Sequence, residues 1–144
     1  MDYLKVFKEF NDLSKSYSSS LKRCREVNDI FECKGLYILA GMNKVEKNNW
    51  KQFARVVFML SSFSSNKIGA TLGASLTNVH ESRIKRISKA RDSDRALKQL
   101  KSAIKIQGRK GIAVDLQKAC EQIFYWGKKN GTQLLIDYFM SIYK

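Results

Sequence analysis

Asp92-Ser-Asp-Arg-Ala-Leu-Lys-Gln-Leu-Lys-Ser-Ala-Ile-Lys-Ile-Gln-Gly108 decides the fold. At about 100° per residue, Leu97, Leu100, Ala103 and Ile104 fall on one side of a helix. Arg95, Lys98, Lys101 and Lys105 share a face about 120° wide on the other. Asp92, Ser93 and Asp94 place oxygen acceptors and negative charge where the first backbone N–H groups need them. Gly108 supplies a stop.

The same period recurs outward from this stretch. Upstream, Asn78 with Glu81 three residues later reads as a capping box. The helix that follows, Val79 to Ala90, turns Ile84 and Ile87 inward and Lys85, Arg86 and Lys89 outward. Ser64 to Asn78, with Gly69 and Gly73, reads as a loop and a short helical turn. Glu46 to Ser62 sets Trp50, Phe53, Ala54, Val57, Phe58 and Ser61 on one broad helical face. At the N-terminus, Tyr3, Val6, Phe7, Phe10, Leu13 and Tyr17 line a face that Ser18-Ser19-Ser20 interrupts. Those serines cap a short helix carrying Leu21, Lys22, Arg23 and Arg25, and a third helix covers Glu32 to Ala40. Downstream, Ile112 to Trp126 reads as one helix and the stretch from Thr132 as the last. No segment alternates with period 2 over a useful length, and there is no proline, linker or repeat. The expectation is a single all-α domain over residues 1–144, a bundle of about seven to eight helices with short connections.

Charge narrows the function. The chain carries 27 Lys+Arg against 13 Asp+Glu, a net charge of +14. Residues 83–110 hold eleven basic and two acidic side chains, so most of the excess lies in two consecutive helices. A solvated helix face normally mixes signs, because like charges at i,i+4 oppose the helix. Lys85 with Lys89, and Lys101 with Lys105, are such like pairs. Such a concentration suits an anionic partner. The candidate nucleic-acid-binding residues are therefore Arg83, Lys85, Arg86, Lys89, Arg95, Lys98, Lys101 and Lys105, with Lys22, Arg23 and Arg25 as a second patch. No zinc-finger spacing or RNP-type aromatic motif is present, so the expected contacts go to sugar-phosphate rather than to base edges.

Catalysis finds no support in the residues. His80 is the single histidine and reads as a surface or cap residue. No phosphate-binding loop follows Gly69 and Gly73, and the acids form no paired motif. Cys24, Cys33 and Cys120 form no close pair in sequence and read as small buried hydrophobes, with neither a disulfide framework nor a structural metal expected. Tyr125 and Trp126 read as core. No cofactor is expected. No apolar run approaches the roughly 20 residues of a membrane span, and Met1 to Phe10 lacks a secretory apolar stretch, so the expectation is a cytoplasmic protein without membrane contact.

At Lys67-Ile-Gly-Ala-Thr-Leu-Gly-Ala-Ser-Leu76 the chain resembles the CasB family, the small subunits of the type I-E CRISPR surveillance complex, Cascade. Leu72, Gly73 and Leu76 match the family's Leu-Gly-x-x-Leu segment. Glu81-Ser-Arg-Ile-Lys-Arg-Ile87 and Ala96-Leu-Lys-Gln-Leu-Lys101 match its basic-apolar helices. Tyr125-Trp-Gly-Lys128, Gln133-Leu-Leu-Ile-Asp-Tyr-Phe139, Ser20-Leu-Lys-Arg-Cys24 and Leu36-Tyr-Ile-Leu39 follow the family order. The resemblance implies an all-helical, non-catalytic subunit present in two copies. It would pack on the backbone and large subunits of the complex, with its basic surface on the displaced DNA strand and along the crRNA–target duplex. The residues alone leave open a stand-alone helical DNA-binding regulator, a scaffold for acidic proteins, and an RNA-binding small subunit of another CRISPR class.

Overall fold

The computed structural model describes residues 1–108 and 110–144. Its helices are α1 (Tyr3–Asp12), α2 (Lys15–Lys22), α3 (Lys34–Met42), α4 (Trp50–Leu60), α5 (Glu81–Lys89), α6 (Ser93–Gln107), α7 (Leu116–Phe124) and α8 (Lys128–Tyr143). Short 3-10 turns at Val27–Glu32, Lys47–Asn49 and Ala74–Leu76 join some of them.

Helix α4 is the centre of the core. Phe53, Ala54, Val56, Val57, Phe58, Met59 and Leu60 are all buried, against α7, α3, α6 and the Val27–Glu32 turn. Arg55 to Leu60 alone could pass for a strand. The residues before it extend the helical period, and length decides for helix.

Helices α5 and α8 form another extensive contact. Tyr138 of α8 is buried and its hydroxyl donates to the Val79 carbonyl at 2.6 Å, just before α5. The Leu72-Gly73-x-x-Leu76 segment seats α8. Leu72 and Leu76 are fully buried, and a Cβ on Gly73 would collide with the Leu134 carbonyl oxygen. Only glycine lets the two backbones approach so closely.

The all-helical expectation holds with one correction. Strands β1 (Phe63–Asn66) and β2 (Ile112–Val114) pair in parallel, with Phe63 opposite Ile112, Asn66 opposite Val114 and an irregularity between Phe63 and Ser65. Ser64 to Asn78 therefore opens in a strand rather than a loop, and the helix expected from Ile112 begins only at Leu116. Strands this short cannot display a period. The junction is built by Asp115, whose carboxylate caps α7 at the Lys118 N–H (3.3 Å) and accepts from the Gly69 N–H (3.0 Å). Those backbone donors hold its carboxyl below the usual range. Gly111 has φ 87°, and a Cβ there would lie 2.5 Å from the Ser62 carbonyl oxygen.

Other boundaries move as well: the helix expected over Glu46 to Ser62 spans Trp50–Leu60, and the one expected from Glu32 starts at Lys34. The first break falls at Leu13-Ser14, and Ser18, Ser19 and Ser20 lie inside α2, where Ser20 Oγ donates to the Ser16 carbonyl at 3.0 Å. A hydroxyl that bonds its own helix removes the capping signal the serines suggested. Helix α3 runs on through Gly41 to Met42. The cap of α5 is His80, not Asn78: its Nδ1 accepts from the Ser82 N–H at 3.1 Å. Helix α8 starts at Lys128 rather than near Thr132. Of the aromatic pair, Trp126 is core at 5% exposure and Tyr125 is 70% exposed.

Candidate nucleic-acid interface

Helix α5 presents Arg83 and Arg86 three residues apart, on the flank that meets α6. Helix α6 presents Arg95 and Lys98, again three apart. These four cations line a cleft of about 740 Å³, with Val27 and Asn28 of the first 3-10 turn, Gln99, Ser102, and the acids Glu26, Asp92 and Asp94. Ile84 and Ile87 of α5 and Leu97 and Leu100 of α6 are buried beneath, which fixes how each helix is rotated.

The three acids in the cleft are already engaged. Asp92 caps α6 at the Asp94 N–H (3.0 Å). Asp94 holds the Arg55 Nε at 2.7 Å, a half-buried pair reaching in from α4. Glu26 accepts from Lys98 Nζ at 3.0 Å in the open. Arg83 donates to Ser102 Oγ at 3.1 Å, and among the described residues no carboxylate lies within ion-pair distance of Arg83, Arg86 or Arg95. The cleft therefore offers three guanidinium groups without an ion-pair partner among the described residues. Their planar forks match phosphate oxygens two at a time.

The single stripe expected along α6 is divided. Lys101 turns away from the cleft: its ammonium lies 4.1 Å above the Phe58 ring, buried, with no hydrogen-bond partner. Burial pushes its pKa down from 10.5 to about 8. Lys105 follows Lys101 and, with Lys22 of α2, Ser61 and Ser62, lines a separate cavity of about 200 Å³. One member of the expected second patch, Lys22, thus joins two of the eight residues of the expected first, Lys101 and Lys105. Arg23 and Arg25 are exposed outside both cavities.

Helix α5 divides likewise. Lys85 stands 3.4 Å from Glu81 and 5.9 Å from the centre of the Phe139 ring, facing α8. Lys89 is exposed in the last turn, outside the cleft. The polar residues Asn28, Gln99 and Ser102 were missed. Ser102 was accessible to the wheel, since it follows Lys98 by four residues; Asn28 comes from a distant segment and carries no sequence signal.

The expectation about cysteine also changes. The fold brings Cys24 and Cys33 together, Sγ to Sγ 3.4 Å, both as free thiols, while Cys120 is buried alone. No helix of the described residues is long and apolar enough to cross a membrane.

Comparison with known proteins follows the same lines. The family model of the CRISPR-associated protein Cse2 matches residues 18–139. No curated protein matches the chain. A chain in a crystal structure of E. coli Cascade bound to a PAM-containing double-stranded DNA target superposes with a TM-score of 0.84, over 98% of this chain and 96% of that one, at 21% identity. That likeness establishes a shared fold.

Proposed function

The chain belongs to the CRISPR-associated Cse2 family, also called CasB, and on that premise we propose that it is a non-catalytic small subunit of a type I-E Cascade complex that holds nucleic-acid backbone in its α5–α6 cleft. One observation carries the assignment of the site: Arg83, Arg86 and Arg95 converge there with no carboxylate partner among the described residues.

Opening a target exchanges a DNA duplex for a guide–target duplex of similar stability, so a few backbone contacts tip the balance. A cleft that binds phosphate only in the open state stabilises that state without chemistry. The guide RNA reads the sequence; phosphate contacts carry none. The proposed partners are the crRNA, the target and displaced DNA strands, the backbone and large subunits, and a second copy of this chain. The structural role of the family supports a subunit without catalysis.

The test reconstitutes the complex with this chain, without it, and with Arg83→Ala/Arg86→Ala/Arg95→Ala, and follows strand opening by permanganate footprinting. Loss of opening without the chain, reproduced by the triple variant in a complex that still assembles, is the expected result. Normal opening with the triple variant would move the contact elsewhere. Incubation of the purified chain with DNA or RNA and divalent metals should give no cleavage.

A further inference from the structure

The geometry points to a covalent modification site outside the cleft: Cys24 and Cys33 form a reversible intramolecular disulfide. Their sulfurs lie 3.4 Å apart, and a bond needs about 2.05 Å. Both residues sit where the chain has freedom to close that gap. Cys24 is one residue past the C-cap of α2, and Cys33 is the junction between the Val27–Glu32 turn and α3. Neither lies in a helix interior, and Cys24 is only partly buried, so a small oxidant reaches it first. Cys120 lies buried elsewhere in the core, beside Glu121, and does not compete.

The chemistry balances with a small-molecule disulfide as oxidant. The Cys24 thiolate attacks one sulfur of oxidised glutathione and expels one glutathione thiolate. The Cys33 sulfur then attacks the mixed disulfide at Cys24 and expels the second. Two thiol hydrogens leave the protein and two glutathiones take them up. Burial, and the neighbouring Cys33, push the Cys24 thiol up to about 12, while the Lys101 ammonium pulls the other way. Thiolate is thus the minority form at neutral pH, and the reaction should quicken about tenfold per pH unit between 7 and 9.

The closed loop carries Arg25 and Glu26, and Glu26 is the partner of Lys98 in the cleft. The bond therefore pins one edge of the cleft to α2 and α3. It constrains the unfolded chain as well, so oxidised protein should melt about 5 °C higher.

The experiment treats the purified full chain with oxidised glutathione at pH 8 and reads intact mass, peptide map and melting temperature. Expected are a mass lower by about 2 Da, a peptide joining Cys24 to Cys33, the higher melting temperature, and reversal by dithiothreitol. Cys120→Ser should behave like the parent; Cys24→Ser and Cys33→Ser should each lose the bond. A stable glutathione adduct on Cys24, a bond through Cys120, or a lower melting temperature after oxidation would overturn the proposal. None of these readouts depends on DNA.

Discussion

Two basic surfaces flank α6, and they treat positive charge differently. In the cleft the cations are mostly arginines, open to solvent, with the nearby acids occupied by other groups. In the small cavity on the other flank the cations are Lys22, Lys101 and Lys105, and the middle one has withdrawn over an aromatic ring. A guanidinium binds oxygen pairs in a fixed fork and stays charged, whereas a buried ammonium loses its proton readily. The difference separates the surface proposed to hold phosphate from a lysine absorbed into the packing, although both stand on one helix.

The comparison breaks if the cleft does not matter. Arg83→Ala/Arg86→Ala/Arg95→Ala should weaken binding of single-stranded DNA about 100-fold at low salt and lower the log–log salt slope by about 2. A titration across salt reads both; an unchanged slope removes the cleft from the interface. Next in size is the support beneath it. Arg55→Ala leaves the half-buried Asp94 unpaired at the cleft and should cost about 2 kcal/mol of stability by denaturant titration. The same change made with Asp94→Asn should recover most of that loss.

The lysine flank is sharpened by pH. The Lys101 pKa in the folded chain, about 8, lies below the ordinary 10.5. Below pH 8 the folded state bears the full cost of the buried charge. Between about 8 and 10.5 the unfolded chain holds more protons, so stability should rise with pH in that window. Lys101→Met should add about 1 kcal/mol at pH 7, flatten that rise, and leave the DNA salt slope alone. A slope smaller by about 0.7 would return Lys101 to the interface. The smallest effect is expected from Glu26→Gln, which releases Lys98. Affinity should increase about threefold, with one more phosphate contact in the slope.

Most of this architecture was legible where burial imposes a period. Helix α6 runs from its Asp92 cap to Gly108 as the sequence implies. Ile84, Ile87, Leu97 and Leu100 are all buried as read. Legibility failed where tertiary contact, not local pattern, decides. Val114 and Asn66 take strand conformation because each finds the other's segment across the fold. Asn78 has the right spacing for a cap and His80 the right geometry. Within the candidate site the helical period placed Arg86, Arg95 and Lys98 on outward faces, whereas Arg83 was marked only by the density of basic charge over residues 83–110. The period could not show that Phe58 claims Lys101, that Glu26 answers Lys98, or that Lys22 belongs with Lys105. Those facts rest on partners 43, 72 and 83 residues away.

The parallel pairing of β1 with β2 also has a kinetic side. Both helices of the cleft lie between the two strands, so the ladder closes only after a long excursion of chain has been gathered in. Closing such a loop is slow compared with winding α5 and α6. The expected order is helices first and ladder last. Ile112→Val should therefore quicken unfolding and leave the refolding rate nearly untouched, a φ-value near zero in stopped-flow measurements. A φ-value near one would make the two short strands the nucleus on which the cleft is assembled.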